Sequence, residues 1–537
     1  MLGIMPRIEP HLLPDMAAQV ARNVRLWTGG IEPLRRESFV AYDLKVGAKK
    51  TIYRDGQHLD IDTKYWYTFT ADVDITRGPI LDDNLGRLYY TGDGPPKYTN
   101  SAIGWADPGT MPLAFRLLGL PAPSAPSVAV GGAPTEGAEP VTVLVAYAFV
   151  TSDGFVGPPS PVSTPIQYRD GMDLQIEGLD TAPSGAYDIE KKYIYIAQTD
   201  ASGSTALRFW REVPAWDTAE NGTVDFTTLG ESVDSPSLIA PPSDLFGLML
   251  HPNGFMVGFT QRKFLRSEVF KPHGWPDVYQ DPLGDDIVGG AIIGQQTIIC
   301  TRGKTYSAIG SDPLNQSIVD LSGMQPCVSK RSIRAMPFGV LYAGPDGLVL
   351  AGGLNPLSVV SETHFTRDQW QAYKPESMHA AVHDRRYYLF WDTGSRKGCL
   401  IFEFNAAGGL HLVVESDQWF AAAHVDPRRD HLYVWEANEI RRWDDGDPLK
   451  AVWRSKEIRL SRAENIGAVR IHAERYPVTF RLLDHGAIAS EVSVASSRPE
   501  RMDGRDRYER VCWEVETTGK VTQVEIGSAI SDLLRDG

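Results

Sequence analysis

Alternation of apolar and polar residues is the main feature of this chain, and it predicts short β-strands separated by turns. Residues 65–75 alternate large apolar side chains with small or polar ones, and residues 87–91 do the same. The run Gly-Asp-Gly-Pro-Pro at 92–96 has the residues of a turn. We therefore expect strands from about residue 50 to residue 100.

The N-terminal segment, residues 10–27, has a different pattern, which predicts a short helix. Asp15 follows a proline and is a suitable N-cap, and Ala17, Val20, Ala21 and Val24 then recur at helical spacing. A Gly-Gly pair at 29–30 would end the helix. So short an amphipathic helix needs a partner surface, either the body of its own chain or a neighbouring subunit.

A Pro-, Ala-, Ser- and Gly-rich stretch at residues 121–140 is typical of a linker. Strand-like runs then follow at 141–151, 174–176, 193–197, 207–213 and 223–226, with turn residues between them. This spacing predicts a small β-sandwich. The order of a Tyr-containing strand, the run Gly-Pro-Pro-Ser-Pro at 157–161 and then Tyr-Ile-Tyr at 193–195 resembles a fibronectin type III domain.

A loose internal repeat spans residues 245–445. Apolar strand-like runs begin at Gly254, Gln296, Gly339, Arg386 and His431, so the intervals are 42, 43, 47 and 45 residues. Most are followed by a turn and a second apolar run. A period of 40–50 residues with several strands per unit is typical of a β-propeller. Five units are visible here, and residues 65–100 are a candidate sixth.

The C-terminal part, residues 450–537, alternates cleanly and predicts an antiparallel β-sandwich with a short helix at 530–534. We therefore predict an all-β protein. Residues 1–120 hold the N-terminal helix and first propeller strands, 121–240 the inserted fibronectin type III-like sandwich, 241–449 the propeller blades and 450–537 the C-terminal sandwich.

Composition agrees with many turns and excludes several classes of protein. The chain of 537 residues contains 50 Gly and 37 Pro, and its net charge is −15. That charge argues against a protein that coats nucleic-acid phosphates with basic side chains. The four cysteines, Cys300, Cys327, Cys399 and Cys512, are too few and too scattered for a disulfide scaffold or a zinc module.

The sequence also gives no sign of export or of a membrane span. The first ten residues lack the pattern of a signal peptide. The longest apolar run, residues 141–150, is about half of the ~20 residues that a spanning helix needs. We therefore expect synthesis in a cytoplasm and no membrane span.

Histidines are the first candidates for acid–base chemistry or metal binding. They group as His379 with His383 and Asp384, and as His424 with Asp426, Asp430 and His431. Spacings of four and seven in strand–turn sequence do not put two imidazoles on one face, and no third ligand is near. We interpret these histidines as exposed turn residues and expect no metal.

Acidic clusters are the second candidates, since paired carboxylates serve glycoside hydrolysis and calcium binding. The clusters lie at strand ends or turns, where Asp commonly binds its own backbone. They are Asp72/Asp74, Asp82-Asp83, Asp285-Asp286 and Asp444-Asp445. The calcium-loop pattern, nucleophile elbow, phosphate loop and dinucleotide fingerprint are all missing from the sequence. We predict that the protein is not an enzyme, with no catalytic, cofactor-binding or metal residues and no cofactor.

Six stretches of the chain have distinctive local sequences. The most specific are residues 12–34 and the run Pro-Cys-Val-Ser-Lys-Arg-Ser at 326–332. The others are Asp-Ile-Thr-Arg-Gly-Pro-Ile at 74–80, Tyr-Thr-Gly-Asp-Gly-Pro-Pro-Lys at 90–97, residues 341–349, and Trp-Arg-Ser-Lys at 453–456. Together these stretches resemble a family of tailed-phage virion proteins, whose relatives include the nozzle, or tail hub, proteins of short-tailed phages.

The resemblance implies a structural protein of the virion tail, made in the cytoplasm of a bacterial host. It implies a homo-oligomeric ring, a hexamer in the nozzle proteins, that contacts the head-to-tail adaptor and portal proteins and the tail fibres or spikes. DNA would pass through the lumen without specific binding, which the net charge of −15 suits. The alternative is a peripheral tail component that binds or degrades host surface glycans with aromatic loops, at 210–216 or 65–67.

Overall fold

The computed structural model describes residues 3–43, 45, 47–55, 61–80, 83–104, 114–198, 206–233, 235–321, 323–353, 355–503 and 507–534. Regular structure in these ranges is almost entirely β-strand, which confirms the all-β prediction. The α-helices are α1 (Arg367–Gln371) and α2 (Ile530–Leu533), the second where a terminal helix was predicted. Short 3₁₀ helices lie at Ser235–Leu238, Asp277–Tyr279, Lys330–Ser332 and Pro375–Ser377.

The predicted N-terminal helix is wrong, because this segment forms strands. They are β1 (Ala18–Arg22), β2 (Val24–Arg25) and β3 (Glu32–Pro33). A bulge between Ala18 and Val20 and the left-handed backbone of Asn23, at φ 54°, interrupt the usual alternation. The buried side chains of Ala18, Ala21 and Val24 therefore recur every third residue and imitate a helical face.

The partner surface of this segment is its own chain. Strand β1 pairs in parallel with the last strand of one sheet, where Arg22 is opposite Glu415, and antiparallel with the first C-terminal strand, where Ala21 is opposite Trp453. Ile31 and Leu34 are fully buried in the same core. The segment is thus an internal part of the fold.

Two small sheets come next along the chain. After β4 (Ser38–Tyr42), strands β5 (Thr51–Arg54) and β6 (Trp66–Phe69) form sheet I. Sheet II contains β7 (Asp74–Arg77), β8 (Leu88–Thr91), β9 (Lys97–Thr99) and β10 (Arg116–Leu117). Residues 65–100 therefore supply parts of two sheets, where the sequence suggested one unit.

The inserted segment forms two packed sheets around its own core. One holds β11 (Ser127–Gly131), β14 (Asp173–Glu177) and β17 (Ala219–Gly222). The other, in the order β13-β12-β15-β16, holds β12 (Val141–Thr151), β13 (Ile166–Tyr168), β15 (Ile189–Gln198) and β16 (Arg208–Pro214).

Two sequence predictions for this segment are wrong. Residues 121–140 are not a linker throughout, because β11 lies in this range and its Val128 and Val130 pack against the core. The strand predicted at 223–226 lies instead at Ala219–Gly222.

Five further groups of four antiparallel strands follow, numbered sheets III–VII, and the four strands of sheet VI are part of a larger ten-stranded sheet. Sheet III contains β18 (Phe246–Leu250), β19 (Met256–Phe259), β20 (Lys263–Arg266) and β21 (Gln280–Pro282). Sheet IV contains β22 (Ile287–Ile293), β23 (Gln296–Thr301), β24 (Thr305–Ile309) and β25 (Ser317–Leu321). Sheet V contains β26 (Arg334–Met336), β27 (Gly339–Ala343), β28 (Leu348–Gly352) and β29 (Asn355–Val359).

Sheet VI contains β30 (His379–His383), β31 (Arg386–Asp392), β32 (Lys397–Phe404) and β33 (Leu410–Ser416). Sheet VII contains β34 (Ala422–Asp426), β35 (His431–Glu436) and β36 (Glu439–Arg442), and the early strand β4 completes it. The repeat runs predicted from sequence are the second and third strands of these sheets.

The first strands of the seven sheets contact one another in succession. Strand β7 contacts β18, which contacts β22, and the series continues through β26, β30 and β34 to β5. Sheets I and II share a small apolar core, and Thr51 Oγ1 accepts a 2.9 Å hydrogen bond from Val73 N just before β7. Sheet I, at the end of this series of contacts, therefore also contacts sheet II, where the series begins.

The C-terminal part is a second all-β body, fused to sheet VI by β1. Its strands are β37 (Ala451–Ser455), β38 (Ile458–Asn465), β39 (Ala468–Ala473), β40 (Val478–Asp484), β41 (Ala487–Val494), β42 (Glu500–Arg501), β43 (Arg507–Thr517) and β44 (Val521–Gly527). A large shared apolar core runs from sheets V and VI into this part.

Candidate functional site

A cavity of about 360 Å³ lies where the first strands of the seven sheets meet. Strands β5, β7, β18, β22, β26, β30 and β34 or the residues beside them all contribute to its wall. Its volume falls within the lower part of the range of ligand sites. The ionisable side chains of the wall are those of Lys50, Tyr53, Asp72, Asp74, Lys330, Arg331, Arg334, His379 and His424.

An ion-paired cluster joins sheet II to sheet V across this cavity. Lys330 Nζ lies 2.7 Å from Asp74 Oδ2 and 3.1 Å from Asp72 Oδ2. Asp74 Oδ2 also accepts a hydrogen bond of 2.9 Å from Gly247 N at the start of β18. One carboxylate therefore ties together three sheets that are distant in sequence.

The pKa values of this cluster reflect a group of charges held away from bulk water. Burial raises the pKa of Asp74 above its ordinary value, although the Lys330 ammonium opposes the shift. The pKa of Lys330 is also raised, because the negative charges of Asp74 and Asp72 stabilise its ammonium form by more than burial destabilises it. The side chains of Asp74 and Lys330 are each about three quarters buried, so the pair has limited access to water through the cavity.

The turn that carries Lys330 is held by a buried serine. Ser332 Oγ donates to Ser329 O at 2.6 Å and accepts from Ala343 N at 2.9 Å. These bonds fix the 3₁₀ turn Lys330–Ser332 against β27 just before β26 begins. The consecutive residues Lys330 and Arg331 both line the cavity as a result.

Two guanidinium groups in the cavity wall have no carboxylate partner among the described residues. Arg331 donates to the carbonyl oxygens of Lys50 and Ala421, each at 2.6 Å. Arg334 donates to the carbonyl oxygen of Ile333 at 2.7 Å. Burial lowers the pKa of Arg331 to about 10, against the opposing negative charge of Asp72, and the positive charge of Arg334 adds to the lowering.

His379 and His424 also line the cavity, from the neighbouring strands β30 and β34. His379 Nε2 lies 2.7 Å from Phe420 O and donates its proton to that oxygen. Burial lowers the pKa of His379 well below its ordinary value, and Arg331 and Arg334 add to the shift. Burial likewise lowers the pKa of His424 to about 4. Both rings are neutral at pH 7, and their interpretation as exposed turn residues is wrong.

The other histidines of the two predicted groups lie at the ends of β30 and β35. His383 Nε2 lies 2.9 Å from the Asp430 carbonyl oxygen, in an exposed turn. Asp384 pairs with Arg386 on the surface. Asp426 forms a buried ion pair with Arg54 of β5, which lowers the pKa of Asp426 against the effect of burial.

The remaining acidic clusters have local structural partners. Asp286 accepts from Arg262 at 2.7 Å, and Asp83 pairs with Arg87. Asp444 accepts from Arg35 N at 2.6 Å and pairs with Arg25, while burial raises its pKa. The neighbouring residues Asp285 and Asp445 bind Lys304 N and Ser38 Oγ, respectively. Asp82 lies outside the described residues.

The aromatic loops proposed for glycan contact differ from each other. Trp66 and Tyr67 are buried strand residues of sheet I, so this loop prediction is wrong for them. Trp210 is half-buried, with the guanidinium of Arg211 3.8 Å from its ring centroid. Trp216 is 74% exposed, the highest value among the described aromatic side chains.

Within the described ranges, no group of three or more His, Cys, Asp or Glu side chains is arranged to hold a metal ion. All four cysteines are buried and unbridged. No described helix has the length and apolar character needed to span a membrane.

Comparisons with known proteins give only weak similarities. No family model and no curated protein match the chain. One similar solved structure is a structural genomics protein of unknown function from Bacteroides thetaiotaomicron, at 10% identity and a TM-score of 0.25, with 73% of this chain and 98% of that chain covered. Another is the extracellular domain of a protein described as a hybrid two component system from B. thetaiotaomicron, at 9% identity and a TM-score of 0.18, with 92% and 98% covered.

The sequence singled out part of this site and missed its cations. Asp72, Asp74, His379 and His424 were all candidates, but no local spacing indicates that they meet in one cavity. Lys330, Arg331 and Arg334 were missed as site residues. The available signal was three cations within five residues of a chain with a net charge of −15.

Proposed function

We propose that this chain is a structural protein of a phage tail, a nozzle or hub that assembles as a homo-hexameric ring below the portal and adaptor. In this proposal, sheets I–VII are the blades of a β-propeller, and the two inserted sheets are a fibronectin type III-like domain. The ring would conduct DNA, contact the tail fibres or spikes, and catalyse no reaction.

The observation that carries the proposal is the placement of the stretches that resemble the phage family. The stretch 74–80 meets the stretch 326–332 through the 2.7 Å contact between Asp74 and Lys330. The stretch 326–332 meets the stretch 341–349 through the hydrogen bond from Ala343 N to Ser332 Oγ. These three stretches are thus joined into one cluster at the cavity.

Two of the three remaining stretches also contact each other. The N-terminal stretch 12–34 contains β1, and Ala21 of this strand is opposite Trp453 of the stretch 453–456. Motifs that are scattered in sequence therefore hold the sheets to one another and to the C-terminal part. Such residues would preserve an architecture, which suits a structural family better than a catalytic one.

Surface features suit assembly into a ring. The outer strand β4 of sheet VII exposes Phe39 and Tyr42, whose ring centroids lie 4.7 Å apart. The outer strand β25 of sheet IV exposes Val319. Apolar side chains on outer strands are available for contacts between copies. Because the cavity inside one chain is only of ligand size, the DNA lumen in this proposal is the space enclosed by the copies.

Electron microscopy and native mass spectrometry of the purified chain test the proposal. We expect a ring with an axial lumen and a mass of six chains, alone or together with the adaptor ring. The double variant F39S/Y42S should weaken the ring, while the control Val278→Ser, at an exposed apolar residue of a 3₁₀ helix, should not. A stable monomer in the presence of adaptor, or a trimeric spike, would overturn the nozzle assignment.

A peripheral tail component that contacts host glycans is the second candidate, and the exposed Trp216 favours it. Exposed indole rings stack on sugar rings, and this one lies on the inserted domain. Binding to host envelope saccharides that Trp216→Ala abolishes, or release of saccharides from envelope material, would support this candidate over the nozzle.

A further inference from the structure

The cavity between the first strands of sheets I–VII holds more positive than negative charge. Lys50, Lys330, Arg331 and Arg334 supply four cations to its wall, of which Lys50 is exposed to solvent, while Asp72 and Asp74 supply two carboxylates. Lys330 is positioned between the two carboxylates and balances much of their charge. The two guanidinium groups then remain in excess, in a chain whose net charge is −15.

These guanidinium groups are only partly satisfied by the protein. Arg331 is fixed by two backbone carbonyl oxygens and Arg334 by one. No described carboxylate lies within ion-pair distance of either. A guanidinium has five N–H donors, so several of these donors are left for a further acceptor. The negative charge of Asp72 opposes only part of the effect of burial on Arg331, and an anionic ligand would relieve the remaining cost.

Arg331, Arg334 and the ring of His379 all line this one cavity. Both guanidinium charges add to the lowering of the His379 pKa by burial. The His379 proton is directed to Phe420 O, so the ring adds no competing charge at pH 7. Paired guanidinium groups match the oxygens of a phosphate group, to which they donate bidentate hydrogen bonds.

We propose that this cavity binds one small phosphate-type oxyanion between Arg331 and Arg334. Its volume of about 360 Å³ leaves room for inorganic phosphate or a small phosphorylated compound. Because residues of sheets I, II, V, VI and VII line this region, a bound anion would hold the inner ends of these sheets together. The proposal does not depend on the role of the protein in a phage tail.

Isothermal titration calorimetry of the full chain with inorganic phosphate, at constant ionic strength set with chloride, tests the site. We expect one phosphate per chain. Arg334→Gln removes the less constrained guanidinium and should weaken binding by about tenfold or more. Arg334→Lys keeps the charge but loses the bidentate geometry, so its affinity should fall between the two. Arg302→Gln, an exposed control on sheet IV, should bind like the parent chain.

Separate titrations with sulfate, citrate and glycerol phosphate distinguish the chemistry of the ligand. Glycerol phosphate binding at least as well as phosphate would identify a phosphorylated compound as the natural ligand class. Tighter binding of citrate than of either phosphate would overturn the proposal. No saturable phosphate binding, or equal losses in Arg334→Gln and Arg302→Gln, would also overturn it. If Arg334→Gln does not fold, a phosphate-soaked crystal of the parent chain decides, since the anion must contact both guanidinium groups.

Discussion

Lys330 Nζ lies 2.7 Å from Asp74 Oδ2, although the two residues are 256 positions apart in the chain. This ion pair connects β7 of sheet II to the turn before β26 of sheet V across the cavity. Sheets III and IV lie between them in sequence and in the order of contacts. The pair therefore spans the cavity wall and links sheets that share no strand pairing.

We predict that Lys330→Met destabilises the protein by about 2–3 kcal/mol. The change leaves Asp72 and Asp74 in a poorly hydrated place without the ammonium group that lies within ion-pair distance of both. Urea unfolding at pH 7 measures the loss. Lys304→Met is a matched control, because Lys304 pairs with Asp320 at the surface, where such a pair contributes about 0–1 kcal/mol. Equal effects of the two substitutions would contradict a special role for the cavity pair.

The cost of Lys330→Met should shrink as the pH falls. Lys330 is the main group that holds down the already raised pKa of Asp74, so its removal raises this pKa further. A carboxyl whose folded-state pKa lies above its unfolded value gains stability from protonation as the pH falls through the folded-state value. The stability difference between parent and variant should therefore be smaller at pH 5 than at pH 7. A constant difference would contradict the shift.

The second strands of sheets III–VII were predictable because both faces of these strands pack, which produces dense apolar runs such as Tyr387–Trp391. The outer strands were not. In β25, Val319 and Asp320 are both exposed, because one edge and one face of this strand have no neighbour. The sequence pattern that marks a half-buried strand is therefore absent there.

The N-terminal segment shows why a three-residue period is not by itself a helix. Ala18, Ala21 and Val24 are buried because a bulge and one left-handed residue turn the strand. Neither feature follows from apolar spacing. The cavity could not be predicted from sequence spacing either, because the contact between Asp74 and Lys330 depends on the arrangement of several sheets.

Asn23 provides a test of this bulged strand. It is buried, with φ 54°. Its Nδ2 donates to Asp417 Oδ2 at 2.8 Å, and its Oδ1 accepts from Asp417 N at 2.9 Å and from Ser416 Oγ at 3.1 Å. We predict that Asn23→Ala costs about 3 kcal/mol, from these lost bonds plus the left-handed backbone.

Two comparisons separate the contributions at Asn23. Asn23→Gly also removes the side chain, but glycine adopts the left-handed backbone conformation without strain. It should therefore be about 1 kcal/mol more stable than Asn23→Ala. Asn438→Ala changes an exposed asparagine with φ 65°, and it should cost only about 1 kcal/mol. Chemical denaturation of the three variants checks the order. A loss for Asn23→Ala no greater than that for Asn438→Ala would show that the side-chain bonds contribute nothing.

Acid should destabilise the protein through buried neutral histidines. Burial lowers the pKa of His273, His364 and His424 to about 4 each. The unfolded chain binds protons at these residues below about pH 6.5, whereas the folded chain does not until about pH 4. Stability therefore falls as the pH decreases between these values, by up to about 1.4 kcal/mol per pH unit for each residue.

Proton-linked unfolding measures this dependence. Urea denaturation from pH 7.5 to pH 4.5 should show the decline, and His424→Gln should reduce the slope by the equivalent of one proton. The exposed control His411→Gln should leave the slope unchanged. If the parent chain and His424→Gln have the same slope, then His424 binds its proton equally in the folded and unfolded states, which would contradict the lowered pKa.

The inserted domain should fold without the rest of the chain. Its ends lie together, because Gly119 contacts Ala240 and Pro241 so closely that a Cβ at Gly119 would lie 2.6 Å from Pro241 Cδ. It has its own apolar core, separate from the others. Phe155 packs outside this core, against His273 at a centroid distance of 4.5 Å and beneath the guanidinium of Arg87. We expect a fragment of residues 119–241 to unfold cooperatively.

Two phenylalanine substitutions distinguish independent folding from docking. Phe155→Ala removes a contact with the rest of the chain, so it should cost the full chain about 2–4 kcal/mol and the fragment much less. Phe226→Ala removes a ring that packs on Tyr168 inside the inserted domain, so it should destabilise both. Thermal unfolding of each variant, in the fragment and in the full chain, gives the four changes in stability. An unfolded fragment, or equal effects of Phe155→Ala on both, would mean that this segment depends on sheets II and III for its fold.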